Sequence, residues 1–182
     1  MEYRVLIAGF GGQGVLSTGE LLAVAAMMED KHVSWMPAYG PEMRGGAANC
    51  GVVIADTEIA SPVVSEPGAL LAMNGPSLDR FGPLVETGGL LIVNSSLTDP
   101  PPPNGVTVVG VPAQSLALEL GKVQVAANIM LGVLVGYTGM VDLEAVEAAL
   151  EKVFYKQKKL LPLNQSALRL GFETGLREAG RR

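Results

Sequence analysis

The sequence has one cysteine and one histidine in 182 residues, few aromatics and little charge. Each scarcity closes off a class of function. A lone Cys50 cannot form a disulfide within the chain, which predicts a reducing, cytoplasmic setting. The common iron–sulfur clusters take four thiolates, so this chain alone cannot hold one. With His32 as the sole imidazole there is no zinc site of the usual kind. Cys50 has no base near it in sequence and reads as a small buried core residue rather than a nucleophile. A net charge of −5 leaves no basic footprint for nucleic acid, and Arg181-Arg182 is too short a run to supply one. No uninterrupted apolar run reaches about eighteen residues, so no membrane span is expected. Glu2 and Arg4 lead straight into a strand-like run, so no secretory signal is expected either. Charged residues make up 17% of the chain and apolar residues 48%, with mean hydropathy +0.33. That is little polar surface for a soluble protein. It predicts burial against partner subunits, and self-association of the chain when isolated.

What is abundant is glycine, 23 residues of it. Six positions, Gly9-Phe10-Gly11-Gly12-Gln13-Gly14, have the form G-x-G-x-x-G. They follow the apolar run Tyr3–Ala8, which reads as a buried parallel strand, and precede Val15–Met28, which reads as a helix. In that context one glycine makes the turn, a second admits a ligand to the backbone, and a third lets helix pack on strand. The free amides of the first helical turn then face an anion. Either the loop contacts a phosphate or pyrophosphate, or it is only a tight turn between strand and helix. An NAD site wants a carboxylate about twenty residues on, ending the second strand. The candidate second strand, Val33–Met36, runs into Pro37-Ala38-Tyr39 without one, and Asp30 precedes it. That argues against a stand-alone NAD(P)-dependent oxidoreductase.

Met36 to Gly46 follows, with two prolines and three glycines that exclude a regular element. It carries Tyr39, Glu42 and Arg44 within six positions. It is either a ligand-shaping loop at the carboxyl end of a strand or a surface loop with a local Glu42–Arg44 pair. Strands are expected at Ala47–Ala55, Ala69–Met73, Leu90–Asn94 and Val106–Val111, with Ile59–Pro62 an edge or turn. Helices are expected at Ser77–Leu84, Pro112–Leu120, Val125–Tyr137, after Asp142 as cap, and at Asn164–Arg177. The Val125–Tyr137 helix is apolar all round and must be buried, within the domain or under another subunit. Lys156, Lys158 and Lys159 read as a solvated face. The alternation predicts one α/β domain over residues 1–182: three α/β/α layers, a mostly parallel Rossmann-like sheet and a helical C-terminal third.

The glycine hexad, paired with Tyr39-Gly40-Pro41-Glu42-Met43-Arg44-Gly45-Gly46, resembles the gamma subunit of 2-oxoacid:ferredoxin oxidoreductases. The likeness continues through Asn49-Cys50, Ile59–Pro62, Ala127–Gly132 and Asn164, so it covers essentially the whole chain. The second motif is spelled as in the separate gamma chains of the 2-oxoglutarate and branched-chain enzymes. Pro67-Gly68 departs from the family's common Pro-Asp, though a turn survives either way. The resemblance implies oxidative decarboxylation of a 2-oxoacid, with 2-oxoglutarate expected, to an acyl-coenzyme A with reduction of ferredoxin. It implies alpha and beta partners and a small ferredoxin-like delta subunit. Thiamine diphosphate, magnesium and iron–sulfur clusters would belong to the complex, since this chain has no Gly-Asp-Gly thiamine motif and no cysteine set. Within that setting Gly9, Gly11, Gly12, Gln13, Gly14 and Arg44 are expected to contact coenzyme A as substrate, with no catalytic residue or metal ligand expected in this chain. A pure scaffold is the competing expectation.

Overall fold

The computed structural model describes residues 1–40 and 46–180. Its centre is a six-stranded sheet. Strand β1 (Glu2–Phe10) carries Val5, Leu6, Ile7 and Ala8 fully or nearly buried, because both its faces are covered. Beside it lie β4 (Ala69–Ala72), β5 (Leu90–Asn94) and β6 (Thr107–Val111), each parallel to its neighbour. On the other side β3 (Ala47–Ala55) pairs antiparallel with β1, from Glu2 opposite Ala55 to Phe10 opposite Ala47. Strand β2 (His32–Tyr39) pairs only with β3 and forms the sheet edge, so the order is β2-β3-β1-β4-β5-β6. Five strands run one way and β3 runs against them.

Alternation along the strands feeds two cores of unequal size. Val5, Ile7, Val52, Ile54, Leu71 and Ile92 face the larger one. It is built by α1 (Val15–Met28), α3 (Ala113–Glu119), α4 (Ala126–Thr138), α5 (Leu143–Val153) and α6 (Leu161–Glu178). Leu6, Ala8, Leu70, Leu91 and Val93 face the smaller one, beneath the short α2 (Gly75–Phe81) with Leu78, and Val85 beyond it. The three layers are therefore lopsided.

Three expectations change. The second strand in sequence does not lie beside the first: β3 sits between them, and β2 continues through Pro37-Ala38-Tyr39 instead of ending before them. The carboxylate test for NAD presumes adjacent strands, so it has no geometric basis here. The apolar helix α4 needs no other subunit to bury it, because α6 runs alongside it in the same direction. Asn128 donates from Nδ2 to Asn164 Oδ1 at 2.9 Å, and Gly132, Gly136, Gly171 and Gly175 interlock farther along. A Cβ added at Gly132 would lie 2.7 Å from the Phe172 amide, and one at Gly175 would lie 2.7 Å from that of Tyr137. Only glycines let the two backbones come this close. Finally, Asp142 occupies the cap position of α5 but its side chain makes no capping bond. Its amide instead donates to Glu29 Oε1, and Lys31 Nζ bonds Glu29 Oε2 and the Met140 carbonyl, so the end of α1 is clasped to the start of α5.

Candidate functional site

At the carboxyl end of β1 the glycine hexad crosses the top of the sheet, where open α/β sheets bind ligands. Three of the loop's four glycines do different things. A Cβ on Gly9 would sit 2.8 Å from Gln13 Oε1 and from Val15 Cγ2, and 2.9 Å from Met73 Cβ, so Gly9 permits close packing of loop, helix and β4. Gly12 has φ +96°, and a Cβ there would meet nothing within 4 Å, so it is held for its backbone and faces open space. Gly14 caps α1 at φ +80°, with a Cβ coming to 3.0 Å from Ala127 on α4.

The loop is braced from within. Gln13 Oε1 accepts from the Phe10 amide and from Asn74 Nδ2, both at 2.7 Å. Asn74 in turn caps α2 by accepting from the Ser77 amide. Asn94 at the end of β5 donates from Nδ2 to the Met73 carbonyl. The Gln13 amide donates to Phe10 O and the Gly11 amide to Gly46 O, so neither is free for a ligand. The first helical bond of α1 runs from Thr18 to Gly14, which leaves the amides of Val15, Leu16 and Ser17 without intrahelical acceptors. The positive end of the helix dipole coincides with them.

Two recesses meet at Gly12. One, about 370 Å³, lies over the first turn of α1 between Gly11, Ser17 and Tyr39. The other, about 200 Å³, runs toward α4 and is lined by Gln13, Asn94, Gln114 and Gln124 together with Met73, Val123 and Ala127. No charged side chain lines either among the described residues. A groove of about 380 Å³ at the opposite edge touches Glu2, Arg4 and Glu86, but it lies at the amino ends of the parallel strands, away from the glycine loop.

The structure thus brings Gly9, Gly11, Gly12, Gln13 and Gly14 together, while Arg44 and Glu42 lie outside the described residues. Asn74, Asn94, Gln114 and Gln124 were absent from the sequence expectation. Their one signal was position, just after strand-like runs or before helical ones. Cys50 is fully buried under α1, with Sγ 3.4 Å from the Val15 carbonyl. Burial pushes its thiol up to about 12, against the lowering effect of a hydrogen bond with Trp35, so it is no nucleophile. No helix among the described residues is long and apolar enough to cross a membrane.

Comparison with known proteins agrees with this architecture. The ketoisovalerate oxidoreductase subunit VorA of Methanothermobacter thermautotrophicus is 45% identical over 94% of this chain, which spans only 36% of that longer protein. The 2-oxoglutarate synthase subunit KorC of Methanocaldococcus jannaschii is 36% identical over 82% of both chains. Among solved structures, the gamma subunit of a keto/oxoacid ferredoxin oxidoreductase from Geobacter sulfurreducens superposes with a TM-score of 0.83 at 32% identity, covering 96% of this chain and 99% of that one. A 2-oxoglutarate:ferredoxin oxidoreductase from Magnetococcus marinus, solved with 2-oxoglutarate, coenzyme A and succinyl-CoA bound, shares the fold at TM-score 0.85 and 21% identity, over 98% of this chain and 31% of that one. Residues 4–174 match the pyruvate ferredoxin/flavodoxin oxidoreductase family, and the chain belongs to it.

Proposed function

We propose that this chain is the gamma subunit of a 2-oxoacid:ferredoxin oxidoreductase, working in the cytoplasm with alpha, beta and ferredoxin-like subunits. Its own task is to hold coenzyme A for transfer of the acyl group. The observation that carries this is the junction at Gly12, where the open amide end of α1 meets an uncharged recess at the carboxyl edge of the sheet. A pyrophosphate fits the free amides of Val15, Leu16 and Ser17. The recess beyond Gly12, lined by amide-bearing and apolar side chains, fits an uncharged, amide-bearing arm. Arg44, expected from sequence to help with charge, would supply a planar two-pronged donor for a phosphate.

Thiamine diphosphate, magnesium and iron–sulfur clusters would supply the decarboxylation and the electron path to ferredoxin from the other subunits. For the clusters this chain offers no set of thiolates, its one cysteine being buried and protonated. Its residues bind, orient and shield. A scaffold without ligand is the second reading, favoured by the engagement of the Gly11 and Gln13 amides within the protein.

Both 2-oxoglutarate and ketoisovalerate belong in the assay, since relatives carrying each name resemble this chain. The reconstituted complex should reduce ferredoxin and form the acyl-coenzyme A from one of them. Omitting this chain should abolish acyl-coenzyme A formation. An isolated chain that oxidises a substrate with NAD(P), or a complex equally active without it, would overturn the reading.

A further inference from the structure

We infer that the outer edge of the sheet, strand β2, is a docking surface for a companion subunit equivalent to the remaining two-thirds of the longer relatives. This rests on the subunit reading above. Sheet edges in free-standing proteins are guarded by charge, by proline, by cover or by distortion, and on β2 the one such device is Pro37, which hinders further strand pairing but does not cover the side chains. Among the described residues strand β2 pairs on one side only, and from Val33 to Tyr39 it carries no charged side chain. Trp35 is 38% exposed, Met36 45% and Tyr39 55%, with Pro37 and Ala38 exposed between them. Large apolar side chains are exposed elsewhere too, Met27, Leu118 and Tyr155 among them, but along β2 the exposed residues Trp35 to Tyr39 form an unbroken uncharged run.

The occupant follows from three observations. The same domain occurs as a separate gamma chain, matched here over 99% of its length, and as about a third of a longer ketoisovalerate subunit. A domain found both free and fused has a standing neighbour, and the face toward it stays apolar when the chains are separate. A second copy is disfavoured by Pro37: it lies in the middle half of the eight-residue strand and has no amide to offer a symmetric ladder. The partner therefore lies across the side chains instead of extending the sheet. Tyr39, finally, also lines the recess over α1, so a subunit seated on β2 would close the coenzyme A site from that side.

Trp35 is the only tryptophan; its partly exposed indole packs beside Gly19 of α1 and so reports on the α1 side of this edge, with the β2 amides reporting on the rest. The full chain, wild type or Met36→Glu, is titrated with the purified companion subunit, and Leu118→Glu on the exposed face of α3 serves as control. Adding companion to wild type should blue-shift Trp35 emission and slow exchange of the β2 amides. Met36→Glu should weaken association at least tenfold while Leu118→Glu binds as wild type, both variants unfolding at the wild-type temperature. Unchanged emission and unprotected β2 amides in an assembled wild-type complex would overturn the inference alone, even if Met36→Glu failed to fold. So would wild-type affinity for Met36→Glu, an equal loss from Leu118→Glu, or a dimer of the isolated chain that Met36→Glu dissolves. Failure of the wild-type chain to associate at all would overturn the subunit reading as well.

Discussion

Substitutions at Gly12 separate ligand contact from backbone conformation, because the two causes rank the same pair of variants in opposite orders. Gly12 holds φ at +96°, and a Cβ there meets nothing within 4 Å. No clash with the described residues arises, so the conformational cost stands alone at about 1–2 kcal/mol for an ordinary side chain. Asparagine tolerates positive φ better than alanine does. Stability should therefore fall in the order glycine, asparagine, alanine, with Gly12→Ala lowering Tm by about 2–8 °C. Approach of a pyrophosphate obeys size instead, in the order glycine, alanine, asparagine. One lost hydrogen bond to a charged phosphate costs about 1.5–3 kcal/mol, or about 10- to 150-fold in kcat/KM for coenzyme A. With the assembled complex, coenzyme A and the 2-oxoacid are varied separately, beside gel filtration and thermal unfolding. Gly12→Asn should be the more stable variant and the poorer with coenzyme A, with a smaller loss for the 2-oxoacid. If coenzyme A kinetics follow stability, or both substrates lose equally, the loop does not wrap a pyrophosphate and the scaffold reading stands.

Gly132→Ala should gain about 1 kcal/mol of helix propensity but lose more by overpacking, about 1–3 kcal/mol or above. The obstacle is the α6 backbone at Phe172, which cannot swing aside, so calorimetry should find a lower Tm and a rise would refute the packing argument. Cys50 should resist thiol reagents at pH 8 until the chain unfolds, because burial holds its thiol at about 12 against an ordinary value of 9.0. A raised folded value means that the unfolded chain loses this proton first as pH climbs. The contribution is thus intact below pH 9 and falls by about 1.4 kcal/mol per pH unit until about pH 12. Denaturant midpoints between pH 8 and 11 should drop less steeply in Cys50→Ala than in wild type, and parallel slopes would refute it.

How far the sequence was legible depended on whether a signal was local. Val15–Met28, Ala47–Ala55 and Leu90–Asn94 coincide with observed elements because each is bounded by its own glycines, prolines or polar turns. The sheet order was illegible, since nothing within Val33–Tyr39 records that a later strand will slip between it and β1. The bracing of the glycine loop was illegible for a similar reason. Asn74 and Asn94 end strands far from Gln13 in sequence, and only the fold carries Asn74 to Gln13 and Asn94 to the Met73 carbonyl beside it. The α4–α6 contact did leave a mark. Glycines four apart recur at Gly132 and Gly136, then at Gly171 and Gly175, a spacing that lets helix backbones touch. Hydropathy alone left the helix's cover open between this domain and another subunit, and the glycine spacing is what would have decided it.

Low charge has two outcomes here, and they bear on function differently. In α4 it is absorbed internally: glycines bring α6 close enough to cover an apolar helix, and the one buried amide pair, Asn128 with Asn164, is mutually satisfied. That leaves the helix rigid, with its amino end fixed against Gly14 through Ala127, so the glycine loop rests on packing that no ligand has to create. In β2 the same scarcity of charge faces outward, beside Tyr39 and the recess over α1. One side of the glycine loop is thus pre-set by the domain, and under the proposed docking a neighbour would complete the other. Coenzyme A bound at such a junction would be gripped fully only in the assembled enzyme, which ties acyl transfer to the presence of the subunits that generate the acyl group.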